Sequence, residues 1–179
     1  MRFAYADPPY PGKARLYPEK TEVDHAALFE QLVREYPDGW ALSTASTTLR
    51  GLLALPECPT DIRIMAWVKR WTSFKKGVRV AYAWEPVLVR GGRPRSEAQG
   101  TVYDWVVAQM VPHHRSSEPP FPGKKPDRFY HWLREVLNVQ PGDTLDDLYP
   151  GTRGLERIMR QGVLPTARGR EPREEAGHE

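Results

Sequence analysis

The stretch "MRFAYADPPYPG" (Met1–Gly12) decides how the chain is read. Phe3 to Ala6 is short and apolar, the pattern of a buried strand. It stops at Asp7. The following "PPYPGKARLYPEK" (Pro8–Lys20) cannot continue as regular structure, because prolines recur every few residues. Two of those prolines, Pro8 and Pro9, stiffen the backbone and remove two N–H donors. What remains is a carboxylate, carbonyl oxygens and the Tyr10 phenol: an acceptor-only cluster beside a stacking surface. Its complement is a planar group bearing an NH2, such as the exocyclic amine of a flipped nucleobase. Such a base would lie against Tyr10 and donate to Asp7 and to the Pro8 carbonyl. The plainer reading of the same residues is an Asp-capped Pro-Pro turn with Tyr10 as a surface aromatic.

Outward from this point, strands and helices alternate. Val23, Ala27, Leu28, Leu32 and Val33 keep helical spacing, with Thr21 or Asp24 as a cap and Pro37 and Gly39 as the stop. Trp40–Ala45 reads as a strand, Ser46–Leu55 as a helix and Ile62–Arg70 as a third strand. Val78–Gly92 reads as one or two strands, broken near Glu85 and Pro86. Val102–Met110 reads as another strand. Asp127–Leu137 is an amphipathic helix with Phe129, Trp132, Leu133, Val136 and Leu137 on one face. Asp143–Tyr149 is a strand, Pro150–Gly154 a turn and Leu155–Arg160 a short helix. Beyond Thr166 the chain is Arg, Glu, Pro and Gly, so one domain is expected over 1–164 and a disordered charged tail over 165–179. The alternation predicts an α/β fold with a mainly parallel sheet. Ligands of such sheets bind at the carboxyl ends of strands, which singles out Asp7–Tyr10 and Pro150–Gly154.

Composition narrows the function classes. A net charge of +3 permits a nucleic-acid partner without demanding one. Cys58 is the single cysteine, so no internal disulfide can form, which fits a reducing cytoplasm. No signal region and no apolar run of roughly 20 residues is evident, so no membrane partner is expected. His113 and His114 lack further ligands at metal-binding spacing and read as exposed loop residues; no metal is expected. Trp67, Trp84, Trp105 and Trp132 fall on predicted elements, where core packing is the default.

"ADPPY" resembles the catalytic motif of S-adenosylmethionine-dependent amino-methyltransferases, which methylate the exocyclic nitrogen of adenine or cytosine. Further segments fall in the order of the permuted class, in which the catalytic strand precedes the cofactor strand. "FPGKKP" (Phe121–Pro126) is similar to that class's Lys-Pro segment, and "QPGDTLDDLYPGTRG" (Gln140–Gly154) to its cofactor strand and loop. "AYAWEPVLVRGG" (Ala81–Gly92) and "VYDWV" (Val102–Val106) match intervening pieces. The resemblance covers roughly residues 3–160. The short N-terminus also resembles the messenger-RNA adenine methylases and their phage relatives.

The resemblance implies a trimmed, mostly parallel Rossmann-like methyltransferase sheet with helices on both faces. It implies transfer of a methyl group to a base amine in DNA, with N6 of adenine favoured because the motif begins with Asp. Asp7, Pro8, Pro9 and Tyr10 would be catalytic. S-adenosylmethionine would be held by Ala6, Asp7, Lys125, Pro126, Asp147, Leu148, Tyr149, Gly151 and Thr152. A bacterial or phage-infected cytoplasm and a homodimer follow by the same analogy. From the residues themselves, Lys13, Arg15, Lys69, Arg70, Trp71, Lys75, Lys76 and Arg79 are candidate nucleic-acid contacts, cations interleaved with a stacking ring. Two departures stand out. Arg153 occupies the second glycine position of the cofactor loop, and no strand follows to carry an acid for the cofactor's ribose. They keep a degenerate, non-catalytic nucleic-acid-binding module open as an alternative, beside the same chemistry on RNA.

Overall fold

In the computed structural model, which describes residues 1–17, 20–70, 72, 77–109, 124–151 and 153–161, β1 (Arg2–Ala6) is the hub of the sheet. It pairs in parallel with β2 (Gly39–Ser43) on one side and with β6 (Thr144–Asp147) on the other. The sheet continues through β4 (Trp84–Gly91), β3 (Arg63–Val68) and β5 (Trp105–Val107), giving the order β5-β3-β4-β2-β1-β6. β4 runs antiparallel to both β2 and β3, and β3 pairs in parallel with β5. Five strands therefore end on one edge, and β4 begins there.

Alternation along the strands sorts the core into two layers. Phe3, Tyr5, Ala41, Met65, Trp67, Val87 and Val89 face one side, with Phe129, Leu133 and Leu137 of α3 (Asp127–Leu137) and Leu155 and Ile158 of α4 (Gly154–Arg160). Ala4, Ala6, Trp40, Leu42 and Leu88 face the other, with Leu28, Phe29 and Leu32 of α1 (His25–Glu35) and Leu52 of α2 (Leu49–Leu53). Helices cover both faces, as expected. Asp24 is the cap of α1, accepting from the backbone N–H groups of Ala26 and Ala27.

The predicted break at Pro86 does not occur. Pro86 lies inside β4 opposite Thr44, just past the end of β2, and its carbonyl accepts from Thr44 N–H at 3.1 Å. Its nitrogen faces the same way, so no ladder donor is lost. The tryptophan expectation splits. Trp67 and Trp132 are buried, but Trp84 and Trp105 are 39% and 45% exposed. They share a face with Ile64, on the half of the sheet that α1 and α2 do not reach. The tail from 165 and His113 and His114 lie outside the described residues. Among the described residues no helix is long and apolar enough to cross a membrane, and no His, Cys, Asp and Glu cluster could hold a metal.

Candidate functional site

Asp7 follows the last residue of β1 and, two residues on from Tyr5, projects to the α3 side of the sheet. Trp67 near the end of β3 and Glu85 near the start of β4 are register partners on that same side. Lys69 continues the Trp67 alternation. Between β1 and β4 stands only β2, which ends there in Ser43; its small hydroxyl meets the Tyr5 phenol at 2.9 Å and leaves space above it. Lys125 enters that space from the segment leading into α3, whose N-cap is Pro126.

Lys125 is the centre of the cluster. Its side chain is 1% exposed, and its ammonium donates to both carboxylate oxygens of Asp7, at 2.8 and 2.7 Å. It lies 3.4 Å from the Tyr10 phenol oxygen and 3.5 Å from the second carboxylate, Glu85. The Tyr10 hydroxyl donates to Glu85 Oε2 at 2.8 Å, and Lys69 pairs with Glu85 Oε1. Both ammonium groups lie near the Trp67 ring, Lys69 at 4.9 Å and Lys125 at 5.4 Å from its centroid. Trp67 is fixed in turn, its indole N–H donating to the Ala108 carbonyl at 2.8 Å. Two anions and two cations thus form a balanced, largely buried set.

The titration behaviour follows from that balance. Burial pushes the Asp7 carboxyl above its ordinary value, with Lys125 holding back part of the rise. Burial acts on Glu85 in the same sense, but Lys125 and Lys69 outweigh it and hold this carboxyl below its ordinary value. Burial would lower the Lys125 ammonium; Asp7 and Glu85 overcome it and hold the proton on. The Tyr10 phenol is held well above its ordinary value by burial, then by the two carboxylates, so it stays a donor.

The second expected locus lies next door. Asp147 ends β6 opposite Tyr5, and Leu148 N–H donates to the Tyr5 carbonyl at 2.9 Å. Among the described residues its carboxylate accepts one hydrogen bond, from Tyr149 N–H at 3.3 Å. Burial, with the Asp7 charge nearby, raises it to about 6. The loop then turns through Gly151 (φ +38°) and Arg153 (φ +53°) into α4. Arg153, the residue in the glycine position, adopts the left-handed conformation a glycine would favour. Gly154 has no room for a side chain: a Cβ there would sit 2.5 Å from Tyr130 Cε2. Thr152 lies outside the described residues.

The structure thus brings Ala6, Asp7, Pro8, Tyr10, Lys125, Pro126, Asp147, Leu148, Tyr149 and Gly151 to one edge. Pro8 is buried, and Pro9 beside it half-buried. The Pro8 carbonyl accepts no hydrogen bond from any described residue. Of the candidate nucleic-acid contacts, Lys13, Arg15, Arg70 and Arg79 are exposed, in segments adjoining the same edge. Lys69 is not among them, because it is drawn inward onto Glu85. Trp71, Lys75 and Lys76 lie outside the described residues. Glu85, which ties the cluster together, has no part in the motif.

No protein-family model matches this chain, and no curated protein sequence does. Solved structures do. The crystal structure of the M1.HpyAVI–SAM complex matches with a TM-score of 0.61 at 12% identity, over 90% of this chain and 77% of that one. A second crystal structure, of M1.HpyAVI, matches with a TM-score of 0.52, also at 12% identity, over 90% of this chain and 75% of that one. The fold of this chain is thereby the Rossmann-like methyltransferase fold.

Proposed function

We propose that this chain transfers a methyl group from S-adenosylmethionine to the exocyclic amine of a base in DNA, at N6 of adenine. One observation carries the proposal. Asp7, the Pro8 carbonyl with no hydrogen-bond donor on it among the described residues, and the anchored Tyr10 ring stand together on the carboxyl edge of a methyltransferase-type sheet. The exposed cations Lys13, Arg15, Arg70 and Arg79 adjoin that edge and suit a phosphate backbone. M1.HpyAVI, of similar fold, was solved with SAM.

The residues present fit such a cofactor. S-adenosylmethionine carries a sulfonium and an ammonium. Asp147 is an acid whose ionisation is penalised by burial and by its neighbour Asp7, with no cation on it among the described residues. A cation placed between the two acids relieves both penalties. Asp7, Asp147 and the loop through Leu148, Tyr149, Gly151 and Thr152 would hold the cofactor, with Ala6, Lys125 and Pro126 lining the β1 side. Bound there, it supplies an electrophilic methyl group.

The chain's own part is placement and charge. Asp7 accepts one hydrogen of the target amine and the Pro8 carbonyl the other, which aims the nitrogen lone pair away from both. Tyr10, tied through its hydroxyl to Glu85, offers a fixed ring for the base to lie against. As the nitrogen gains positive charge, Asp7 stabilises it and then assists loss of its proton.

The test is incubation with S-adenosylmethionine and unmethylated duplex DNA, single-stranded DNA or RNA, followed by nucleoside mass spectrometry. N6-methyladenine in DNA supports the proposal; methylcytosine or a mark on RNA alone redirects the substrate. The non-catalytic reading is favoured by one observation: among the described residues β6 is the sheet edge, with no strand beyond it to carry a ribose-binding acid. Binding of DNA without affinity for S-adenosylmethionine would establish that reading instead.

A further inference from the structure

We infer that the Lys125 ammonium occupies the place of the target amine on Asp7, and that Glu85 is the positioning residue that receives Lys125 when a base arrives. The inference rests on the methyl-transfer reading above and concerns how that same site opens.

The geometry sets the problem. Both oxygens of Asp7 are occupied by one ammonium, at 2.8 and 2.7 Å. Those are the lengths of charge-assisted bonds. Each oxygen keeps a further lone pair, and the Asp7 side chain is 21% exposed, so an incoming NH2 can reach it; there it competes with a full positive charge already bound to the same carboxylate. Lys125 cannot yield to water, since its side chain is 1% exposed. An ammonium driven off its counter-ion inside a protein must find another acceptor at once.

The structure supplies that acceptor. Glu85 Oε2 lies 3.5 Å from Lys125 Nζ, beyond hydrogen-bond length but close enough that a movement of under about 1 Å would make a full bond. The Tyr10 oxygen, at 3.4 Å, lies on the same side. Among the described residues, Asp7 and Glu85 are the two carboxylates in ion-pair range of Lys125. The Trp67 and Tyr10 rings, 5.4 and 5.8 Å from the ammonium, attract the cation along the way.

Charge balance explains why the exchange serves the reaction. With Lys125 on Asp7 the carboxylate is already neutralised, and a cation stands where positive charge must develop. With Lys125 on Glu85, which also keeps Lys69, Asp7 is free to stabilise the methylated nitrogen. The other groups around this set are the Tyr5, Tyr17 and Tyr130 phenols, all held protonated by burial and nearby anions, and Asp147 across β1. None offers a carboxylate closer to Lys125 than Glu85 does.

Glu85→Gln keeps the shape and a partner for Tyr10 but removes the charge that receives Lys125. The expected result is a fall in kcat of order 10–100-fold with KM for S-adenosylmethionine within about twofold. The acidic limb of the pH–rate profile should move to lower pH, because Asp7 loses an anionic neighbour. A merely structural role would lower the folded fraction and leave kcat per folded molecule unchanged. A second measurement needs no variant: a crystal structure of the wild-type protein with S-adenosylhomocysteine and an adenine-containing oligonucleotide. Lys125 Nζ should lie within hydrogen-bond distance of Glu85, with the base amine on Asp7. Wild-type kinetics in the Glu85→Gln protein, or Lys125 still on both Asp7 oxygens with a base bound, would overturn the inference alone. Absence of methyl transfer by the wild-type protein would overturn it together with the function it rests on.

Discussion

Replacing Asp147 by Asn should stabilise the protein at neutral pH while weakening its hold on the cofactor. The Asp147 carboxyl is raised from 3.8 to about 6, chiefly by burial, and the Asp7 charge adds to the rise. At about 1.4 kcal/mol per pH unit, keeping it ionised at pH 7.5 costs the folded state about 3 kcal/mol. Solvent reaches part of this half-buried group, so about 1–2 kcal/mol is the working figure. The sign follows from linkage: a folded value above the unfolded one means the penalty is absent below about pH 4 and complete above about pH 6. Asn keeps an oxygen for Tyr149 N–H and carries no charge. Urea unfolding should therefore show Asp147→Asn more stable by about 1–2 kcal/mol at pH 7.5, and the gain should vanish near pH 4. Calorimetry should show affinity for S-adenosylmethionine down by about tenfold or more. An equal gain at both pH values would mean that the amide makes a bond of its own. A loss of stability at pH 7.5 would refute the reasoning.

The loop and the buried pair yield further predictions. Arg153→Gly should raise stability by up to about 1 kcal/mol in urea unfolding, since the left-handed backbone disfavours Arg and the Gly chain entropy offsets only part of the relief. Gly154→Ala should lose about 1–3 kcal/mol in the same assay, because its Cβ would meet the Tyr130 ring at 2.5 Å, and that ring is wedged against Tyr5 and Phe129. Lys125→Met should lose about 3–5 kcal/mol at pH 7.5, leaving Asp7 an uncompensated, largely buried acid and Glu85 with Lys69 alone. Acidification towards pH 4 should narrow the gap to wild type as Asp7 takes up a proton, which melting temperatures across pH would show.

How much of this was legible in the sequence depended on range. Asp7 at a strand end, the helix Asp127–Leu137 and the loop at Pro150–Gly154 rest on local patterns: apolar runs, helical spacing, proline and glycine stops. They emerged where expected. Glu85 did not, because its place follows from the direction of β4. Only an antiparallel strand puts its first residues on the edge where the others end, and nothing local declares that direction. Pro86 misled as well, reading as a break although its nitrogen simply faces past the end of β2. Lys69 carried a usable signal: two residues beyond buried Trp67, it continues the inward alternation rather than facing solvent. The exposure of Trp84 and Trp105 was not legible, since it depends on which half of the sheet the distant helices α1 and α2 cover.

The central claim is that Asp7 receives a base's amine for methylation. It is tested most directly by methyl transfer to unmethylated duplex DNA under saturating S-adenosylmethionine, with wild type and Asp7→Ala assayed side by side and the product nucleosides identified by mass spectrometry. The account predicts N6-methyladenine from the wild-type protein and a loss of at least about 100-fold in the variant, with the variant still folded by circular dichroism. Transfer that survives in Asp7→Ala at the wild-type rate would contradict it.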